Sequence, residues 1–127
     1  QVRATPTYYT HHIVRSGYTN RGEVIGAVVG PGGNGQYLDV DVFTPRGRLG
    51  LFVSRVVRDN DAYYANRGGE TFRGHDVTLT TGLVIARQRD PWRMEVRLAR
   101  MRDYNRYFMV RNDVTNWHVA LDLVWLP

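Results

Sequence analysis

At 127 residues the chain is the length of one domain or of part of one. No apolar run approaches the ~20 residues of a transmembrane helix, which excludes a helical span but not a membrane β-barrel, whose strands need only ~9–11 residues and are apolar on one face. Cysteine is absent, which excludes a disulfide framework and thiolate-held metal, and all 17 basic residues are arginine, giving a net charge of +5 that suits phosphate- or carboxylate-bearing partners such as nucleic acid, phosphorylated glycolipid or acidic polysaccharide.

In chain order, residues 7–14 are expected to form a first strand. No apolar run follows the first three residues, so the chain is expected to be mature or a piece of something longer. Residues 37–43 alternate, with Leu38, Val40 and Val42 on one face and Asp39 and Asp41 on the other. Thr44-Pro45-Arg46-Gly47 is a tight turn, and residues 48–58 form the next strand. Residues 59–74 form a long polar loop rich in Tyr, Asn and Arg. Residues 75–88 follow as a strand with Val77, Leu79, Leu83 and Ile85 in phase, and Arg89-Asp90-Pro91 turns the chain. In residues 92–102, Trp92, Met94, Val96 and Leu98 face one way, and Arg93, Glu95 and Arg97 the other. A second long loop covers residues 103–116, before a last strand at 117–126 whose Trp117, Val119, Leu121, Leu123 and Trp125 share a face. No helical period of useful length is found.

The connections alternate short and long, as in up-and-down outer-membrane barrels with short periplasmic turns and long external loops. A face bearing Asp39, Asp41, Arg93, Glu95, Arg97 and Asp122 is too charged for a soluble core but suits a wet lumen, where opposite charges pair between strands. Tyr37, Phe43, Trp92, Trp117 and Trp125 lie near strand ends, where they suit interfacial aromatic girdles. Arg55 is in phase with Leu49, Leu51 and Val53, so either a bulge shifts the phase or Arg55 lies near the outer rim. A soluble sandwich or barrel, polar outside and apolar inside, has the same period of two. Folded in water without lipid or detergent, it would be a small β domain binding an anionic ligand such as acidic glycan or nucleic acid.

Residues 8–33 read YYTHHIVRSGYTNRGEVIGAVVGPGG, with Arg15-Ser16-Gly17-Tyr18, Arg21-Gly22, Ile25-Gly26 and Gly30-Pro31-Gly32 in sequence, followed by LDVDVF at 38–43 and RDNDAYY at 58–64. This order and spacing resembles the capsule assembly Wzi family of bacterial outer-membrane β-barrels, over most of the chain. Family chains are several times longer, so the resemblance implies that residues 1–127 are the C-terminal part of one such barrel domain. It also implies a place in the bacterial outer membrane and a non-enzymatic role in binding or organising capsular polysaccharide. Such barrels commonly finish on an aromatic, whereas Leu126 and Pro127 follow Trp125 here. About six strands are fewer than the usual minimum of about eight, so open edges are expected to pair with the rest of the barrel or with neighbouring chains. The expected fold is an all-β, antiparallel, up-and-down transmembrane barrel segment.

Polysaccharide binding uses aromatic faces against sugar rings and polar forks against hydroxyls and carboxylates. The expected outer loops supply both: Tyr18, Asn20 and Arg21 in the first; Asp59, Asn60, Asp61, Tyr63, Tyr64, Arg67 and Arg73 in the second; Tyr104, Asn105, Arg106, Tyr107, Arg111 and Asn112 in the third. Gly30-Pro31-Gly32-Gly33-Asn34-Gly35 lacks the ending of a phosphate-binding loop. The Asp59–Glu70 stretch has Tyr64 where a calcium loop needs glycine. His11 and His12 are adjacent and diverge on a strand, making a poor metal pair. A hydrolase would have to be assembled from Asp59, Asp61 and His75, with no motif around either Ser16 or Ser54. The arginines are too scattered for a nucleic-acid signature. No catalytic residue, metal, cofactor or nucleic-acid partner is expected.

Overall fold

The computed structural model describes residues 2–3, 19–20, 23–24, 29, 32–66 and 73–125. Five long strands form an antiparallel meander: β4 (Asn34–Thr44), β5 (Gly47–Val57), β6 (Val77–Arg89), β7 (Trp92–Tyr104) and β8 (Val114–Trp125). Each pairs with the next in chain order. The short β1 (Val2–Arg3) lies beside β4, and β2 (Thr19–Asn20) pairs with β3 (Glu23–Val24) in a separate ribbon. The expected strand at 7–14 lies outside the described residues.

The sheet is open. Among the described residues β8 pairs with β7 alone, and the outer edge of β4 meets only the two residues of β1. The all-β, up-and-down order expected from the alternation is present, but the described residues do not close a barrel.

Two tight turns sit at one end of the sheet. Pro45-Arg46 joins β4 to β5, where Thr44 Oγ1 donates to the Gly47 carbonyl at 3.1 Å and accepts from the Arg46 N–H at 3.3 Å. Gly47 takes φ +146° and lies against the Ala86 carbonyl, so a side chain has neither the backbone freedom nor the room to stand there. Asp90-Pro91 joins β6 to β7.

The other end carries residues 58–66, 73–76 and 105–113. The first holds a short helix, α1 (Asn60–Ala65), where a loop without regular structure was expected. Six residues are too few to show a helical period, which is why the pattern of the sequence did not reveal it. Asp61 in its first turn complements the helix dipole. The second loop is shorter than 103–116, because β7 runs on to Tyr104 and β8 begins at Val114.

The register from Asn34↔Val57 to Thr44↔Gly47 is unbroken, and so is that from Arg48↔Ala86 to Val57↔Val77. No bulge shifts Arg55. It stays on the apolar face, two residues from the end of β5 that leads into the long loop.

Candidate functional site

Continuous register gives the sheet two chemically distinct faces. On one, two rows cross all five long strands without a polar side chain: Val40–Leu51–Leu83–Leu98–Val119 and Val42–Leu49–Ile85–Val96–Leu121. This face is the open one. Val40, Leu51, Val119 and Leu121 are 60–68% exposed. The buried apolar side chains among the described residues are only Val57, Val84 and Ala99, and two of these, Val84 and Ala99, belong to the opposite face. A water-soluble domain has the reverse arrangement, with its large aliphatics inside.

Tryptophan bounds the band at both ends. Trp92 and Trp125 pair in register at the tight-turn end, with ring centroids 6.3 Å apart. Trp117 stands at the loop end opposite Arg100, whose guanidinium lies 6.0 Å from its ring. From Trp117 to Trp125 is about 27 Å along an extended strand. A tilt of about 40° brings that to about 20 Å, close to the ~25 Å apolar band of membrane barrels. Tyr37, expected in the same girdle, belongs to the other face: it is in phase with Asp39 and its ring stacks on Phe52 at 6.2 Å. Phe52 in turn lies over Gly82, where a Cβ would fall 2.6 Å from the ring. Phe43 shares the phase of Tyr37 and likewise leaves the girdle.

The second face is polar. Arg48 donates to Asp41 at 3.2 Å and to Glu95 at 3.5 Å, and Glu95 also accepts from Arg97 at 3.4 Å. Ala86 lies between Arg48 and Glu95 in register and is small enough for their side chains to meet over it. The ladder thus gathers Asp41, Glu95 and Arg97 around Arg48, a residue that sequence reasoning left out. Its signal was there: Arg48 stands opposite Phe43, in the phase of the aspartates. Asp39 lies two residues from Asp41 on the same face, and Asp122 stands opposite Glu95. Arg93 is on this face too. With Arg46, Arg48, Arg87 and Arg89 it lines a groove of about 830 Å³ between the tight turns.

At the loop end a buried polar chain runs from strand to strand. Arg58 donates to Asp76 at 3.0 Å and to the Thr78 hydroxyl at 2.8 Å, and Thr78 donates to Asp103 at 2.6 Å. Asp76, Thr78 and Asp103 are all under 10% exposed. Asp76 also accepts from the Tyr107 N–H at 2.9 Å, tying the second loop to the first. Arg73 and Gly74 N–H donate to the Phe108 carbonyl, and Asn105 Nδ2 to the His75 carbonyl. None of the anchors Arg58, Asp76, Thr78 and Asp103 was singled out from sequence. All four left a trace as polar residues in phase with the charged face, Arg58 with Arg48 and Asp76 with Thr78.

Of the expected binding residues, Tyr18, Arg21 and Arg67 lie outside the described residues, and Asn20 ends β2. Asp59 precedes α1 in a left-handed conformation, and Asp61, Tyr63 and Tyr64 lie within it. Burial pushes the Asp59 carboxyl above its usual range, and the neighbouring Asp61 adds to the shift. Tyr63 packs on His75 at 3.7 Å between centroids, while Tyr64 is exposed. Tyr104 is the last residue of β7 rather than a loop residue, with the Arg102 guanidinium 4.7 Å from its ring. Arg106 lies 4.8 Å from the Tyr107 ring, and the Arg111 N–H donates to Asn105 Oδ1. Asn105, Tyr107, Phe108 and Arg111 all take positive φ, so this loop is held in a narrow conformation by its contacts. The two loops therefore form one braced surface that displays Tyr64, Tyr107 and Arg106.

Comparison of the chain with family models, with curated proteins and with solved structures found no match.

Proposed function

We propose that this chain is the C-terminal part of a bacterial outer-membrane β-barrel, similar to the capsule assembly Wzi family, that binds or organises surface polysaccharide without catalysing a reaction. The observation that carries the reading is the exposed apolar band, five strands wide and bounded by tryptophans. Its rows are apolar enough for lipid and its height is close to a hydrocarbon core. In this reading the polar face lines a wet lumen, crossed by the Arg48–Glu95–Arg97 ladder that braces or gates it. The free edge of β8 pairs with the remainder of the barrel or with a neighbouring chain.

The long loops would then face outward. Their arginines offer planar forks to uronic-acid carboxylates, and their tyrosines offer faces to sugar rings. The bracing of residues 73–76 against 105–113 pre-organises this surface, which lowers the entropy lost on binding.

Replacing Arg67, Arg73, Arg106 and Arg111 together by Ala tests the assignment, with binding of an acidic capsular polysaccharide as the readout. Binding is expected to fall by at least about tenfold while the sheet stays folded, since several charge-assisted contacts are lost. Unchanged binding overturns the loop assignment.

A further inference from the structure

The strands carry acids on one face only, and bases on both. On β4–β8 the polar face mixes acids and bases: Asp39, Asp41, Glu95, Asp103 and Asp122 with Arg48, Arg93 and Arg97. On these strands the apolar face carries Arg55, Arg87, Arg89, Arg100 and Arg102 and no acid, and Asp113, one residue before β8, pairs with Arg102. All five arginines stand outside the two aliphatic rows, Arg87 and Arg89 toward the tight turns and the other three toward the long loops. A face turned to water or to another protein has no reason to exclude acids. A face that crosses a lipid layer has one, because its two ends meet anionic headgroups.

The three arginines at the loop end form a compact group. Arg100 and Arg102 are two residues apart on β7, about 7 Å. Arg55 and Arg102 both pair with Leu79, so they are two strands apart, about 10 Å. Arg100 leans on Trp117, while Arg102 stacks on Tyr104 and donates to Asp113 at 3.3 Å. The buried Nε of Arg102 has no hydrogen-bond partner among the described residues. Arg55 is exposed.

We propose that Arg55, Arg100 and Arg102 bind the phosphate groups of a phosphorylated glycolipid in the membrane leaflet at the long-loop end. Three guanidinium forks spaced this way, beside an apolar floor for acyl chains, match a headgroup that is both phosphorylated and lipid-anchored. The proposal rests on the reading that the apolar face meets lipid.

Its test is native mass spectrometry of the whole barrel protein that carries this chain, in mixed micelles containing either the bisphosphorylated lipid A or the same lipid with its phosphates removed. The wild type is expected to retain the phosphorylated form at least about tenfold better. Arg55→Gln with Arg100→Gln, which spares the Arg102–Asp113 contact, is expected to abolish that preference. Arg87→Gln with Arg89→Gln, an equal loss of charge at the other end, is expected to change it by less than about twofold. Equal retention of both lipids by the wild type, or equal effects of the two double variants, overturns the proposal. Insertion of the wild type into plain phosphatidylcholine vesicles separates the two layers of the argument. A whole protein that inserts but shows no phosphate preference refutes this site alone, whereas a whole protein that does not insert refutes the lipid-facing reading and this site with it.

Discussion

The two faces of the sheet are built from the same five strands and obey opposite rules. One spends its polar groups on one another: Arg48 pairs across strands with Asp41 and Glu95, Arg97 pairs with Glu95 along β7, and Thr78 and Asp103 are buried and hydrogen-bonded. The other leaves Leu51, Val119, Leu121 and Leu123 more than half exposed, and holds its arginines back to both ends. In water the first face needs no cover and the second does. The difference teaches that this sheet is organised around what lies outside its apolar face rather than around a core of its own.

The sharpest way to break this comparison is a charge at the centre of the apolar face. Leu51→Arg is expected to cost roughly 2–4 kcal/mol of folding free energy in a bilayer and to block insertion, because mid-depth charge is expensive there. If that face simply met water, the same change at a 61% exposed position would stay within about 0.5 kcal/mol. Denaturant titration of wild type and variant in lipid vesicles distinguishes the two.

Asp76→Ala comes next. It removes the acceptor of Arg58 and of the Tyr107 N–H in a buried place. The expected loss is roughly 2–3 kcal/mol, the scale of hydrogen bonds to a charged group. Protease cleavage should appear within residues 58–76 and 105–113 while β4–β8 stay protected. Uniform protection would show that the loops are braced by other contacts.

Glu95→Gln has the smallest effect. It weakens both Arg48–Glu95 and Arg97–Glu95, but these pairs are partly solvated, so about 0–1 kcal/mol is expected. A loss above about 2 kcal/mol would mean that the ladder is drier than its exposure indicates.

Much of the sheet was legible in the sequence. Strict alternation in 37–43 and 92–102 placed Leu38, Val40, Met94 and Val96 on one face and Asp39, Asp41, Arg93 and Glu95 on the other, and the register agrees. Pro45, Gly47 and Pro91 marked the tight turns for steric reasons that act locally. Whether the sheet closes was not legible, because alternation with a period of two is the same in an open and in a closed sheet. The loop anchors were not legible either. Arg58, Asp76 and Asp103 are separated in sequence and meet only when β5, β6 and β7 align. Tyr37 stands near a strand end yet on the charged face, because phase and not nearness to an end decides which face a side chain joins.

The alternation of β8 offers the most direct test. The chain has no cysteine, so a spin label can be placed one position at a time from His118 to Leu123. In lipid vesicles, each label's collision rates with apolar oxygen and with a water-soluble nickel chelate report what surrounds it. The account predicts a period of two, with oxygen dominant at Val119, Leu121 and Leu123 and the chelate dominant at His118, Ala120 and Asp122. Equal access of the chelate to all six positions would contradict it and leave the apolar face without lipid.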